Sequence, residues 1–375
     1  MEEEQFARAR PGRDHILVGS VLLLTGMGLV TLYSCSAAFA QRFFGDSHYF
    51  IVRQLILAAI GIFLFFAASL VNLDWLRKGM MALVLFSFVL CIFTFFPGIG
   101  LEKNGAKRWI HIGSFGYQPS ELVKVTLPLY LAHIFDKKQD SLGNFRSGIL
   151  PPALITSLFF VLIYWENNFS TAVFIAINAL VIFFVAGVSF RYFIAATVLL
   201  LPTSVLLILT KPHRLARVRS FFHPEWDPQG AGFQVKASVL TLGSGGFWGK
   251  GIGQGTRKIA SIPEVHSDFI FSAFSEEAGF LGVFCFFVVF AVFIWRAYRV
   301  SIRADTRFKF LLAFALATMV ASQALVNIAV VSGSLPATGI PLPFFSAGGS
   351  SLATTLLAAG LIVNVSKTKG GVYVR

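Results

Sequence analysis

The sequence predicts an all-α polytopic membrane protein of about ten transmembrane helices, with a large extracytoplasmic loop between the seventh and eighth. Three observations predict it. Of 375 residues, 56% are apolar and only 13% are charged, about half the charged share of an ordinary soluble domain. Apolar stretches of roughly 20 residues, enough to cross a bilayer as a helix, recur along the chain. The weak ten-residue alternation of an outer-membrane barrel is absent.

Residues 1–14 are polar, with Arg8, Arg10 and Arg13 just ahead of the first apolar run, which places this segment in the cytoplasm. Ala38-Phe39-Ala40 resembles a signal-peptidase site, but the run from Ile16 to Tyr33 exceeds a signal h-region and reads as a spanning helix. Spans are predicted near 15–37, 51–71, 78–97, 119–135, 148–165, 169–187, 190–210, 268–295, 308–332 and 347–366. Basic residues mark the predicted inner turns: Arg77 and Lys78, then Lys137, Lys138 and Arg146, then Arg191. The cluster Arg296, Arg299, Arg303, Arg307 and Lys309 marks the last of them. An even number of crossings returns 367–375 to the cytoplasm and leaves 15–366 as one membrane domain. The outer segments 97–118 and 211–267 are basic against the positive-inside rule, and a basic surface there suits an anionic ligand. The net charge of +13 is accounted for by these loops, and no nucleic-acid recognition module accompanies it. Cys35, Cys91 and Cys285 lie in or beside apolar runs without metal-ligand spacing and read as small buried hydrophobes.

Asp268 stands where the loop 211–267 meets the eighth span. Helical spacing puts Asp268, Ser272, Ser275 and Gly279 on one face, with Glu276 beside it. A polar stripe on a membrane helix belongs against the bundle interior or a wet cleft, and an ionisable residue there is a functional candidate; the alternative is a simple helix cap. Glu121 and Lys124 open the fourth span, three residues apart, so they can pair on one face. They read equally as a structural ion pair or as catalytic groups. Pro119 with Gln118 or Ser120 makes a helix entry. Lys107, Arg108 and Trp109 offer cations and an interfacial aromatic, and Arg214, Arg217 and Arg219 suit phosphate oxygens. Gly243–Gly253 lacks the spacing of a Walker loop and reads as a glycine-rich turn region. Gln323 and Asn327, and the Pro341–Ser351 segment, read as architectural.

Together these residues resemble the SEDS family (shape, elongation, division and sporulation), which includes FtsW and RodA. The matching stretches are Asn104–Ile110, Gln118-Pro119-Ser120-Glu121 with Lys124, Gly232-Phe233-Gln234 and Ser244-Gly245-Gly246. Pro263–Phe271 with Glu276-Glu277, and Pro343–Ser351, complete the set. Tyr49-Phe50 with Arg53-Gln54, and Asp227–Gly232, look closer to the FtsW branch. One departure stands out: where the family usually has Gln-Pro-Asp-Phe-Gly-Thr, this chain has Glu166-Asn167-Asn168-Phe169-Ser170-Thr171.

The resemblance implies a peptidoglycan glycosyltransferase of the cytoplasmic (inner) membrane, polymerising lipid II at the outer face. It implies septal synthesis, a class B penicillin-binding protein as partner, and other divisome or elongasome membrane proteins nearby. The family's carboxylate falls on Asp268, with Glu121 and Lys124 beside it. Substrate contacts are expected from Arg214, Arg217, Lys107, Arg108, Trp109, Gln118, Ser120, Gln234, Glu264, His266 and Ser346. No cofactor is certain; Mg²⁺ or Mn²⁺ on Asp268 and Glu121 is the candidate metal. The rival readings are a lipid II flippase and a non-catalytic scaffold.

Overall fold

The computed structural model describes residues 14–367, apart from 104, 114, 227–229 and 256–266. Its helices are α1 (His15–Phe44), α2 (Tyr49–Leu70), α3 (Leu73–Lys78), α4 (Met80–Phe93), α5 (Pro119–Lys137), α6 (Leu150–Trp165) and α7 (Phe169–Val185). They continue with α8 (Phe190–Leu209), α9 (Pro212–Phe222), α10 (Ala231–Ser244), α11 (Ile270–Ile302), α12 (Arg307–Val331) and α13 (Gly349–Ser366). Each of the ten predicted spans holds a helix. Among the described residues seven helices are long and apolar enough to cross a bilayer, in α1, α2, α6 with its preceding turn, α8, α11, α12 and α13. The apolar α4 and α7 are shorter, and α5 is buried nearly throughout although it carries Glu121 and Lys124. The chain is a multi-pass helical membrane protein.

Two of the segments expected as outer loops carry secondary structure. Residues 97–118 are not simple loop: β1 (Gly100–Lys103), β2 (Ala106–Ile112) and β3 (Phe115–Tyr117) form a small antiparallel sheet in the order β1-β2-β3. Its register pairs Gly100 with Ile110 and Ile110 with Tyr117. Backbone groups outside the spans are satisfied strand to strand, which the short, charge-interrupted pattern hid. The second is the loop after α8, which folds into α9 and α10. Cys285, expected to be buried, is exposed on α11, while Cys35 and Cys91 are buried.

The two ends of the described chain meet. Asp14 caps α1 by accepting from the Leu17 amide at 3.0 Å, pairs with Arg296 at 2.5 Å, and donates its amide to Ser366 Oγ at 3.2 Å. The three-stranded sheet and Asp268 lie at the opposite end of the helices, as their alternating directions require. Within the bundle α13 lies along α2 at close range. A Cβ on Gly360 would stand 2.3 Å from the Phe65 carbonyl oxygen, so only glycine permits that approach, the usual route to tight helix contact where hydrocarbon surrounds the protein. By contrast no residue of α8 is buried.

The long α11 is broken at Gly279, where φ is 64° and ψ is −168°. The glycine-rich turn after α10 fills the break by backbone pairing. Lys250 N–H donates to the Glu276 carbonyl at 3.0 Å, Gly251 N–H to that of Glu277 at 3.0 Å, and Phe280 N–H to that of Gly246 at 2.9 Å. Side chains reinforce it: Lys250 Nζ lies 2.5 Å from the buried Glu276 carboxylate, and Glu277 Oε1 accepts from Ser34 Oγ of α1 at 2.6 Å. The turn predicted over Gly243–Gly253 is thus a plug that satisfies a helix interrupted inside the protein.

Candidate active site

The α5 entry builds the floor of the site. Gln118 occupies the N-cap position with Pro119 following, but its side chain makes no cap bond. Instead Gln118 Nε2 donates to Ser120 Oγ at 3.0 Å, and its backbone amide donates to Ser350 Oγ at 3.1 Å. Glu121, in the first turn, is favoured by the helix dipole. Its Oε2 stands 2.7 Å from Lys124 Nζ, with side chains 5% and 3% exposed respectively; this is a close ion pair, not an aligned hydrogen bond. Lys124 Nζ also donates to Gln323 Oε1 at 2.9 Å. Gln323 Nε2 in turn donates to the Pro341 carbonyl at 2.9 Å, so one buried chain ties α5, α12 and the Pro341–Ser351 segment.

Asp268 lies in the turn before α11, two residues ahead of Ile270, where the helix starts. The N-cap of α11 is Phe269, which makes no side-chain cap bond, and the polar stripe runs along the helix from Ser272 without Asp268. The Asp268 backbone is fixed from below: Asn327 Nδ2 donates to its carbonyl at 2.9 Å and to that of Ile340 at 2.8 Å. Gln323 and Asn327 are therefore the inner support of the site as well as architecture.

A cavity of about 280 Å³ brings these groups together, lined by Arg53, Arg108, Trp109, Glu121, Lys124 and Asp268 among others. Gln118, Ser350 and Ser351 also line it, and the buried Ser120 sits behind Gln118. Three cations and two carboxylates thus share one polar chamber at the membrane end, a composition that receives an anionic ligand and can exchange a proton with it.

Several expected contacts lie elsewhere. Arg214 is buried, its guanidinium 4.5 Å from the Tyr164 ring and 4.9 Å from the Phe169 ring, and donates to the Leu207 carbonyl at 3.0 Å. It is a clamp between α6, α7 and α8, outside the cavity lining. Arg217 reaches the Ala337 carbonyl at 3.4 Å, and the Asp268 carboxylate acts on its charge. Lys107 is exposed on β2, and Gln234 is half-buried on α10; neither lines the cavity. Ser346 is buried behind it, bonding Leu342 N–H through Oγ at 2.8 Å. Glu264 and His266 fall outside the described residues. Glu121 is already matched by Lys124, and no group of three metal-ligating side chains occurs among the described residues. Sequence reasoning missed Arg53 as a site residue; a cation inside an apolar span was the available signal.

A family model described as "Cell cycle protein", covering FtsW, RodA and SpoVE, matches residues 14–370. The chain belongs to this family. A relative from Geobacter sp. (strain M18), named "Probable peptidoglycan glycosyltransferase FtsW", is 39% identical over 360 residues, covering 96% of this chain and 98% of its own. Stage V sporulation protein E of Bacillus subtilis is 37% identical, covering 94% and 97%. Among solved structures, a chain of a peptidoglycan synthase complex that coordinates polymerization and crosslinking superposes with a TM-score of 0.79 at 28% identity, covering 96% of this chain and 98% of that one. Within the FtsW/RodA/SpoVE family, then, the likeness runs over the whole membrane domain and includes every helix that lines the cavity.

Proposed function

We propose that this chain is a peptidoglycan glycosyltransferase that polymerises lipid II at the extracytoplasmic face of the cytoplasmic membrane, in septal wall synthesis. The observation that carries the reading is the cavity that Asp268 lines together with Arg53, Arg108 and Lys124. It is supported by the names of the full-length relatives. Asp268 takes the proton of the acceptor sugar's 4-hydroxyl as that oxygen bonds to C1 of the donor sugar. The C1–O bond to the diphosphate breaks, and the lipid diphosphate leaves with the electron pair. That leaving group needs charge neutralisation more than a proton, which the cavity cations Arg53 and Arg108 supply.

Both termini face the cytoplasm in this reading, and the basic outer segments meet the anionic substrate. Should Mg²⁺ or Mn²⁺ take part, Asp268, Glu121 and the phosphate oxygens are the proposed hard donors, with Glu121 also held by Lys124. A class B penicillin-binding protein is the proposed crosslinking partner, consistent with the synthase complex to which the fold is similar.

Polymerisation of labelled lipid II by the purified chain with that partner, wild type against Asp268→Asn, tests the reading. Strands from wild type and none from the folded variant are expected. Strands from both would remove Asp268 as the base. Wild-type protein that makes no polymer but moves lipid II across sealed vesicles would establish a flippase instead.

A further inference from the structure

The turn between α6 and α7 carries the chain's departure from the family wording, and its last residue, Asn168, is bonded to the entry of α5. Asn168 stands at the N-cap position of α7 but makes no side-chain cap bond there, although Asn is among the best capping residues. Its Nδ2 donates instead to Ser120 Oγ at 3.2 Å. The same oxygen accepts from Gln118 Nε2 at 3.0 Å, and Gln118 likewise forgoes a cap bond at the start of α5. Two amides from two helix entries therefore converge on one hydroxyl. Ser120 is 0% exposed and Asn168 4%, so the junction lies behind the cavity wall.

The backbone seats Asn168 there. Asn167, at a φ of 58°, donates through Nδ2 to the Gly105 carbonyl beside β2 at 3.0 Å, and the Asn168 N–H donates to the Ile163 carbonyl at 3.3 Å. Thr171 and Phe174, on the same side of α7, reach the cavity. Glu166 opens the turn fully buried, and burial pushes its carboxyl up to about 9, so the turn carries no charge at neutral pH.

Gln118 is the member of this junction that lines the cavity. With Nε2 turned back to Ser120 and the backbone amide given to Ser350, its Oε1 is left over, and it bonds no other described residue. Around it Arg53, Arg108, Trp109 and Lys124 can only donate, while Glu121 and Asp268 are carboxylates. The Gln118 oxygen is a neutral acceptor in a chamber of charges. Such an atom takes a hydrogen bond from an uncharged O–H or N–H without repelling a diphosphate.

We propose that Asn168 is a positioning residue for substrate binding: through Ser120 it holds the Gln118 amide with its oxygen presented to the cavity, where that oxygen accepts from a hydroxyl or acetamido N–H of the substrate sugar. The inference rests on the transferase reading.

The test measures the Kd of fluorescent lipid II for the full chain, and the KM and kcat of polymerisation with its partner. The variants are Asn168→Leu, Asn168→Asp, Gln118→Ala and the double variant Asn168→Leu/Gln118→Ala. Asn168→Leu should raise Kd and KM about threefold to tenfold, the worth of one neutral hydrogen bond, with kcat little changed, as for any loss of uniform binding. Gln118→Ala should raise them at least as much, and the double variant should match Gln118→Ala alone. An Asp oxygen accepts the Ser120 hydroxyl proton and leaves Oγ to accept from Gln118, so Asn168→Asp should stay within about twofold of wild type.

Penalties that add in the double variant, or a loss confined to kcat and Tm, would make Asn168 a structural residue only and overturn the inference. So would an Asn168→Asp variant as weak as Asn168→Leu. Should Asn168→Leu not fold, Ser120→Ala, which removes the shared oxygen, takes its place. Wild type that binds lipid II yet makes no glycan would fail the transferase reading, and the Kd series would still decide the role of Asn168.

Discussion

Replacing Lys124 by Met removes one half of a buried ion pair. Glu121 is then left with a side chain only 5% exposed and no cation at 2.7 Å, and Gln323 Oε1 loses its donor at 2.9 Å. Stranding a buried charge costs about 3–5 kcal/mol, and the orphaned amide oxygen adds about 1 kcal/mol. The double variant Glu121→Gln/Lys124→Met leaves no charge to strand and should recover to within about 2 kcal/mol of wild type.

The assay is thermal unfolding of detergent-purified protein followed by tryptophan fluorescence, paired with lipid II polymerisation. The single variant should lose several degrees of apparent Tm, and the double should regain most of them. Recovery of both stability and polymerisation would make the pair structural; recovery of stability alone would make Lys124 part of the reaction. A double variant as unstable as Lys124→Met would refute the reasoning from the stranded carboxylate.

Three further substitutions follow from the geometry. Gly279→Ala places a Cβ 2.1 Å from the Gly249 nitrogen at a φ of +64°, so the plug after α10 must leave the break; Tm should fall sharply, and an unchanged Tm would show that the break tolerates a side chain. Asn327→Leu removes donors from the Asp268 and Ile340 carbonyls, costing about 2–4 kcal/mol; polymerisation should drop further than Tm, and equal losses would deny Asn327 its support of Asp268. For Glu166, the folded state holds a proton between the ordinary 4.5 and about 9 that the unfolded chain releases. Wild-type stability therefore falls with rising pH across that window, by up to about 1.4 kcal/mol per unit, and Glu166→Gln should flatten the slope of Tm against pH; parallel slopes would contradict it.

The helices were legible because hydrocarbon imposes one simple rule on backbone polar groups, and spans from Ile16 to the last helix obey it. The three-stranded sheet was not, since Ala106–Ile112 mixes Lys107, Arg108 and His111 with its apolar residues and is too short to show a period. The site was half legible. Asp268, Glu121 and Lys124 were marked by charge at span ends, and the cavity unites them. Arg214 misled because a guanidinium serves an aromatic clamp as well as a phosphate, and composition cannot separate the two. Arg53 and the supporting role of Asn327 depend on which helices face each other, and α2 meets α13 only through contacts far apart in the chain.

The contact between α2 and α13 also sets a schedule. Ser34, Lys250 and Gly253 all precede Glu277, so α11 meets finished partners for its two acidic residues as it is made. The cavity works in reverse. Gln54 waits for the Ser346 carbonyl, Gln118 for Ser350 and Lys124 for Gln323, all supplied by the final third of the chain. Until translation reaches α13, the early helices carry polar groups whose native partners do not yet exist, and the side of α2 around Phe65 lacks the Gly360 contact. The reaction chamber is consequently the last part of the protein to close, and a chain cut short before Gly349 would have a membrane anchor and no site.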